Sequence, residues 1–482
     1  MTPVLDLAPA IPAGILAMTA LATLLAQAFT PRGHAAPPSA TFSLAGLLSA
    51  LIAVYLLALR GGGDLGGTYV VDAFSLFFHA LILGIGVIAV LLSPSYLRAT
   101  GIDRGEYYTL LLFSMIGMLG LVSCRELVSL FVSLEVMSVA LYALAGLHRA
   151  RQESQEAALK YFITGAFSSG FFLYGVALLY GASGSTSLTA VGTALRGSGG
   201  ATVALATMGT GLLLVGFGFK VASVPFHMWA PDVYEGAPTT VTAVMSAGVK
   251  AAAFGALLRV FCQALPALAS NWQPAVAALA VVTMVIGNLG ALAQSNLKRM
   301  LAYSSVAHAG YLLAAVVAAP GLGVEAVLFY LVAYAAVNLG GFGTLAALAR
   351  DGREPLALGD VAGLATRRPA LAAALTVFLI SLTGVPVSAG FVGKFFLFRA
   401  AVNAGWTSLA VIGVLMSVVS AYYYLRVVVA MYMREPLGED AWAPVSPASG
   451  LALALSAAVV LGLGIYPEPV LAWARLAARS LL

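Results

Sequence analysis

Five residues of this chain pair a titratable side chain with a setting that offers it little water. Glu135 lies in Leu127-Val-Ser-Leu-Phe-Val-Ser-Leu-Glu-Val-Met-Ser-Val-Ala-Leu-Tyr, and Lys250 in Ser246-Ala-Gly-Val-Lys-Ala-Ala-Ala-Phe. Lys220 precedes Pro225, Lys394 follows Thr383-Gly-Val-Pro-Val-Ser-Ala-Gly, and His308 sits in Ser304-Ser-Val-Ala-His-Ala-Gly-Tyr. A helical rise puts Glu135 about 12 Å and Lys250 about 16 Å inside their apolar runs. An isolated charge at such depth costs several kcal/mol, so each group must pair, neutralise or do chemistry. The chain has 24 basic residues, of which only five are lysine: Lys160, Lys220, Lys250, Lys298 and Lys394. Arginine keeps its proton at accessible pH, whereas lysine can alternate between charged and neutral forms. Lysines, a histidine and a carboxylate in apolar surroundings are therefore the materials of a proton path, with Lys220 the natural partner of Glu135.

Plainer readings stand beside this one. Glu135 would also serve in a helix–helix hydrogen bond, and His308 as a packed core histidine. Lys160, beside Arg149, Arg151 and Glu156, is placed either to reach the surface or to join the relay. Lys298, in Asn296-Leu-Lys-Arg, reads as an anchor at a helix end, and Asp232 and Glu235 as solvated loop residues. His79 and His227 give weaker signals, and His34 and His148 read as loop residues. Tyr422-Tyr-Tyr fits interhelical packing as well as the lining of a path.

The elements that hold these residues follow from composition. Of 482 residues 61% are hydrophobic and 9% charged, far below the roughly 25% charge of soluble domains. This excludes a soluble enzyme, a nucleic-acid binder and a secreted disulfide scaffold, and leaves a polytopic membrane protein. Windows long enough to span fall near 8–29, 41–60, 73–93, 108–124, 127–147, 157–181, 203–224, 239–263, 274–295, 300–319, 323–349, 369–398, 405–433 and 448–472. The expected fold is all-α, with about 14 transmembrane helices. Windows 203–224 and 369–398 each combine an interruption with a lysine, and each is fourth in a set of five. Paired broken helices mark inverted repeats and point to the transport site. The expected divisions are three N-terminal helices in 1–107, repeats at 108–263 and 274–433, and a C-terminal helix in 448–482.

Odd-numbered connections carry Arg32, Arg98, Arg104, Arg149, Arg151, Lys298, Arg299, Arg350, Arg353, Arg367, Arg368 and Arg434; even-numbered ones carry Arg60, Arg125, Arg196 and Arg399. The positive-inside rule makes the odd loops cytoplasmic and both termini periplasmic, with Arg475 and Arg479 in the tail counting against it. The N-terminus has no basic n-region, so its first apolar run reads as a retained helix. Cys124 and Cys262 have no metal-ligand spacing and read as small apolar residues. No metal site, dinucleotide fingerprint, P-loop or haem ligand pair is expected in the chain.

The runs Glu156-Ala-Ala-Leu-Lys-Tyr-Phe-Ile-Thr-Gly-Ala-Phe-Ser-Ser-Gly, Lys220-Val-Ala-Ser-Val-Pro-Phe-His-Met-Trp-Ala-Pro-Asp-Val-Tyr-Glu-Gly-Ala-Pro-Thr and Asn296-Leu-Lys-Arg-Met-Leu-Ala-Tyr-Ser-Ser-Val-Ala-His-Ala-Gly-Tyr resemble the antiporter-like membrane subunits of respiratory complex I. The wider family includes multi-subunit cation/proton antiporters and membrane-bound hydrogenases. The resemblance runs from about residue 70 to 470. Lys394, in Gly390-Phe-Val-Gly-Lys-Phe, stands where the M-type branch has glutamate. With only about ten residues after the fourteenth window, the long lateral helix of the L-type is not expected, and the N-type branch fits. The resemblance implies a subunit of an NADH:quinone oxidoreductase that translocates protons across a bacterial inner membrane. It implies a Glu135–Lys220 pair, Lys250 as central relay, His308 as bridge and Lys394 as the terminal lysine; Lys160 remains a candidate member from its own position. NADH, FMN, iron–sulfur clusters and quinone belong, by the same resemblance, to partner subunits: a peripheral dehydrogenase arm and other membrane subunits.

Overall fold

The computed structural model describes residues 6–30, 38–350, 352–354, 356–436 and 444–481, so Arg32 and His34 lie outside the described residues. Among those described, twelve helices are long and apolar enough to cross a membrane. The helices are α1 (Ile11–Phe29), α2 (Ser39–Arg60), α3 (Ala73–Ala99), α4 (Gly105–Ser123), α5 (Leu127–Ala145), α6 (Gln152–Ser183), short α7 (Leu188–Leu195), α8 (Gly200–Val221) and short α9 (Trp229–Gly236). They continue with α10 (Thr239–Gln263), α11 (Ala269–Leu292), α12 (Leu297–Val316), α13 (Leu322–Ala347), α14 (Pro369–Thr383), α15 (Ala389–Asn403), α16 (Thr407–Met433), α17 (Pro447–Ile465) and α18 (Glu468–Leu481). The polar helix α12 and the broken pair α14/α15 complete fourteen traverses. The chain is a multi-pass membrane protein, with apolar side chains such as Val139, Phe167 and Val418 turned outward, as a lipid-facing wall requires.

The Gly-rich connection after α2 forms a two-stranded hairpin, β1 (Gly63–Leu65) with β2 (Tyr69–Val71). The last window also departs from the expected single C-terminal helix. Helix α17 ends at Ile465, and α18 starts at Glu468 as an amphipathic helix. Its Leu471, Ala474, Ala477 and Leu481 pack inward, while Trp473 and Leu476 face outward. Arg475 bonds Glu325 and Glu468, so the tail is fastened to the even end of the bundle.

Two sets of five traverses, α4–α10 and α11–α16, repeat the same contacts in opposite orientation. A Cβ on Gly117 would lie 2.3 Å from the Met137 amide nitrogen, and one on Gly120 would lie 2.4 Å from Ser133 Oγ. At the positions 170 residues further on, Gly287 meets the Ala307 amide nitrogen at 2.5 Å and Gly290 meets Tyr303 at 2.4 Å. Backbone bonds follow the same shift: Leu127 N–H donates to Thr186 and Leu188 N–H to Arg125, as Leu297 N–H does to Leu356 and Leu358 N–H to Ser295. Glu126 and Asn296 cap the two corresponding helices. Small residues let these helix backbones approach closely, which is how apolar helices associate where burial from water supplies no drive.

Candidate functional site

The two breaks fall where the sequence places them, and a lysine stands at each. Helix α8 stops because Ala222 turns into the left-handed region, with φ of 59°, and Ser223 N–H returns to the Gly218 carbonyl. Lys220, in its last turn, is 2% exposed and donates to Ser138 Oγ at 2.8 Å. The rings of Tyr142, Tyr161 and Phe219 surround its ammonium at 5.3–5.7 Å. Trp229 of α9 stacks on Tyr161 and donates its indole N–H to the Phe219 carbonyl, satisfying the broken end. The hydroxyls of Tyr142 and Tyr161 have no hydrogen-bond partner among the described residues.

Helix α14 ends at Gly384, with φ of 91°. Lys394 reaches back from α15 to donate to the carbonyls of Leu382 at 2.8 Å and Thr383 at 3.1 Å. A cation on the last carbonyls of a helix satisfies both their lone pairs and the helix dipole. The Tyr311 ring covers the same ammonium at 4.9 Å.

Lys250 follows a π turn, Met245–Val249, in the middle of α10, and donates to the Ser305 carbonyl of α12 beside the Tyr334 ring. His308, one turn further along α12, contacts the Tyr330 hydroxyl through Nδ1 and the Tyr424 hydroxyl through Nε2, the latter at 3.2 Å. Its ring lies 5.3 Å from that of Tyr311, which covers Lys394. Tyr334 donates to Ser305 Oγ, and Tyr424 bonds Ser304. Lys250, His308 and Lys394 thus belong to one buried cluster linked by tyrosines. Of the run Tyr422–Tyr424, the last two are buried and hydrogen-bonded, while Tyr422 points outward.

Other sequence expectations change. Among the described residues Glu135 forms no ion pair with Lys220. It is half-buried and accepts from Ser169 Oγ at 2.5 Å, while Ser138, one turn along α5, takes the lysine. Lys160 stands apart from the buried groups: its side chain is 43% exposed and paired with Glu156 and Asp232. Asp232 and Glu235 lie on α9 and bind Arg299, so these acids belong to an ion-pair lattice across the odd end. Lys298 is fully buried and donates to the Ala237 carbonyl and Glu354, because Glu354 lies over the helix end that would otherwise meet water.

Three buried charges escape the sequence reading. Glu354 accepts from Tyr96, Thr239 and Arg151, and Arg259 grips both oxygens of Asp72. Arg259 was findable by the rule that exposes the lysines, an ionisable residue inside an apolar window. Asp72 was findable as a helix N-cap three residues before Ser75. Glu354 had no local signal. Burial alone would push both carboxyls up. For Glu354 the Lys298 charge, with hydrogen bonds from Thr239, Tyr96 and Arg151, reverses this and holds it at about 2. For Asp72 the Arg259 charge and hydrogen bonds from Arg259, Ser75 and Arg125 do the same, also to about 2. Folded-state values below the ordinary range near 4 stabilise the fold fully above that range, and the benefit is lost as pH falls through 2. The melting temperature of the detergent-solubilised protein should therefore be level from pH 7 to about 5 and drop between about 4 and 2. A level profile down to pH 2 would contradict this assignment.

Comparison with known proteins places this geometry among related chains. The family described as "NADH:quinone oxidoreductase/Mrp antiporter, TM" matches residues 124–420. NADH-quinone oxidoreductase subunit N of Trichlorobacter lovleyi is 43% identical over 97% of this chain and 96% of its own. The protein of the same name from Chloroflexus aggregans is 45% identical over 87% of this chain and 86% of its own. A chain of respiratory complex I from Thermus thermophilus superposes with a TM-score of 0.81 at 38% identity, covering 96% of this chain and 98% of that one. A chain of the Mrp complex from Dietzia has the same fold, with a TM-score of 0.86 at 23% identity over 100% of this chain and 98% of that one.

Proposed function

The chain belongs to the family of N-type membrane subunits of NADH-quinone oxidoreductases, and from that premise we propose that it carries protons across the membrane through its buried lysines. The observation that carries the reading is the buried cluster in which tyrosines link Lys250, His308 and Lys394 near the break in α14/α15. Lysine and histidine alternate between protonated and neutral forms, and hydroxyl side chains between them can hand a proton on while the helices stay in place. Lys220 is the lysine at the first break. The approach or separation of Glu135 changes its hold on the proton. The Ser138 contact and the unpartnered Tyr142 and Tyr161 hydroxyls leave polar sites for water beside it. Lys250 receives the proton, His308 bridges, and Lys394 releases it. Lys160 acts at the surface, in the lattice with Asp232.

Moving one charge against 100 mV costs about 2.3 kcal/mol, which electron transfer in partner subunits would supply. NADH, FMN, iron–sulfur clusters and quinone are assigned to those partners: a peripheral dehydrogenase arm and neighbouring membrane subunits. The bias of basic residues orients the odd end toward the cytoplasm of a bacterial inner membrane, with both termini periplasmic.

Purification of the tagged chain from its native membrane tests this reading. It should bring down flavin- and iron–sulfur-containing subunits, and NADH should drive acidification of inside-out vesicles containing the assembly. Isolation with cation/proton antiporter subunits, and no NADH-driven acidification, would transfer the chain to the antiporters.

A further inference from the structure

Helix α10 carries Lys250 and is buried along its whole apolar window. Its two ends are held by carboxylates that the relay does not use. At the odd end Thr239, the first residue of the helix, donates its hydroxyl to Glu354 Oε1 at 2.5 Å. The Thr239 backbone N–H donates to the Tyr96 hydroxyl at 2.8 Å, and Tyr96 donates to the same Glu354 oxygen. The other oxygen, Oε2, takes Arg151 at 2.8 Å and Lys298 at 3.4 Å. Lys298 also holds the Ala237 carbonyl just before the helix begins. A buried carboxylate here suits the positive end of the helix dipole.

At the even end Arg259 is fully buried and donates to both oxygens of Asp72, at 3.0 and 2.9 Å. It also donates to Ser75 Oγ and the Val122 carbonyl, and Arg125 adds a second guanidinium on Asp72. This planar fork fixes both the position and the rotation of the helix end. The partners differ at the two ends: the loop after α13 holds one, and the N-cap of α3 holds the other.

Between the pins lies the π turn Met245–Val249, immediately before Lys250. A π turn holds one residue more than a regular turn, and it can shift along a helix whose ends stay fixed. Each residue it passes rotates by about 100° about the axis. We propose that Glu354 and Asp72 are positioning residues for Lys250, pinning both ends of α10 so that movement of the π turn swings the Lys250 ammonium away from the Ser305 carbonyl. The inference rests on the reading of Lys250 as a relay group.

The test uses the assembled complex in proteoliposomes, with protons moved per electron as the readout. Glu354→Gln and Asp72→Asn keep the side-chain shape and remove the charge, and each should lower the ratio about twofold or more. Arg259→Lys, which keeps the charge but loses the fork, should lower it as well. A purely structural role would reduce the amount of assembled complex and leave the ratio at the wild-type value. Lys250→Met, measured alongside, separates the two ideas. If it lowers the ratio while the pin variants do not, the pins are refuted and the relay stands. If Lys250→Met itself pumps at the wild-type ratio, the relay reading falls. Should the carboxamide variants fail to assemble, amide hydrogen exchange in the unaltered complex decides. Residues 245–249 should exchange about tenfold faster than 251–259. Uniform protection, or fraying inward from Thr239 or Gln263, would overturn the proposal.

Discussion

Lys250→Met should lower coupled NADH oxidation by the assembled complex about tenfold or more, while reduction of a soluble acceptor at the peripheral arm stays at the wild-type rate. Methionine keeps the length and apolar stem of lysine, so the substitution removes a charge and a proton-binding nitrogen with little loss of packing. Lys250 joins α10 to the tyrosine cluster, through the Ser305 carbonyl and the Tyr334 ring. Without it a proton would cross that stretch unaided. A charge at the centre of a membrane costs about 2.5–3.5 kcal/mol on insertion scales, a barrier of roughly two powers of ten. Lys250→Arg sharpens the test. Arginine keeps the positive charge but does not release its proton, so a relay fails with it while a structural cation survives. Wild-type turnover in the arginine variant would sink the relay assignment.

What the sequence reveals of such a site depends on how local the cause is. Both broken helices are readable because interruption and lysine lie within a few residues of each other, as in Lys220 with Pro225 and Lys394 with Thr383–Gly390. Lys250 and His308 are readable because apolar neighbours make one charged or polar residue conspicuous. Glu135 shows where this local signal stops. Its run places it at depth, but only the packing of α5 against α6 shows that it faces Ser169, while Ser138 takes the lysine. Lys298 and Glu354 show the limit more clearly. Three of the hydrogen bonds to Glu354 come from Tyr96, Arg151 and Thr239, between 115 and 258 residues away. No window of sequence contains such a cluster. The same holds for Lys160: its neighbours leave surface and relay both open, and only Asp232, 72 residues on, shows it in the surface lattice. In the sequence the repeat is legible only as two breaks at corresponding positions. Geometry recurs where identity does not, and the glycine pairs are the exception that links the two.

Gly117→Leu and Gly287→Leu should each abolish accumulation of the folded chain in the membrane, with loss of about tenfold or more, whereas Gly170→Leu should be tolerated. A Cβ on Gly117 would sit 2.3 Å from a backbone nitrogen of α5, and one on Gly287 would sit 2.5 Å from a backbone nitrogen of α12. Neither obstacle is the end of a flexible side chain, so relief requires the helices to part. Overpacking that side chains can absorb costs about 1–3 kcal/mol, and separating two backbones exceeds that range. Against a total stability of about 5–15 kcal/mol, such a loss leaves little folded protein. Gly170 faces open space on α6, with nothing within 4 Å, so leucine there meets only the apolar surroundings of the bundle. Level abundance of the chain by immunoblot, compared across the three variants, is the measurement. Because Gly117 and Gly287 occupy the same position in oppositely oriented repeats, they must fail together. A leucine tolerated at one and lethal at the other would mean that the two halves, alike in fold, are not held together by the same contact.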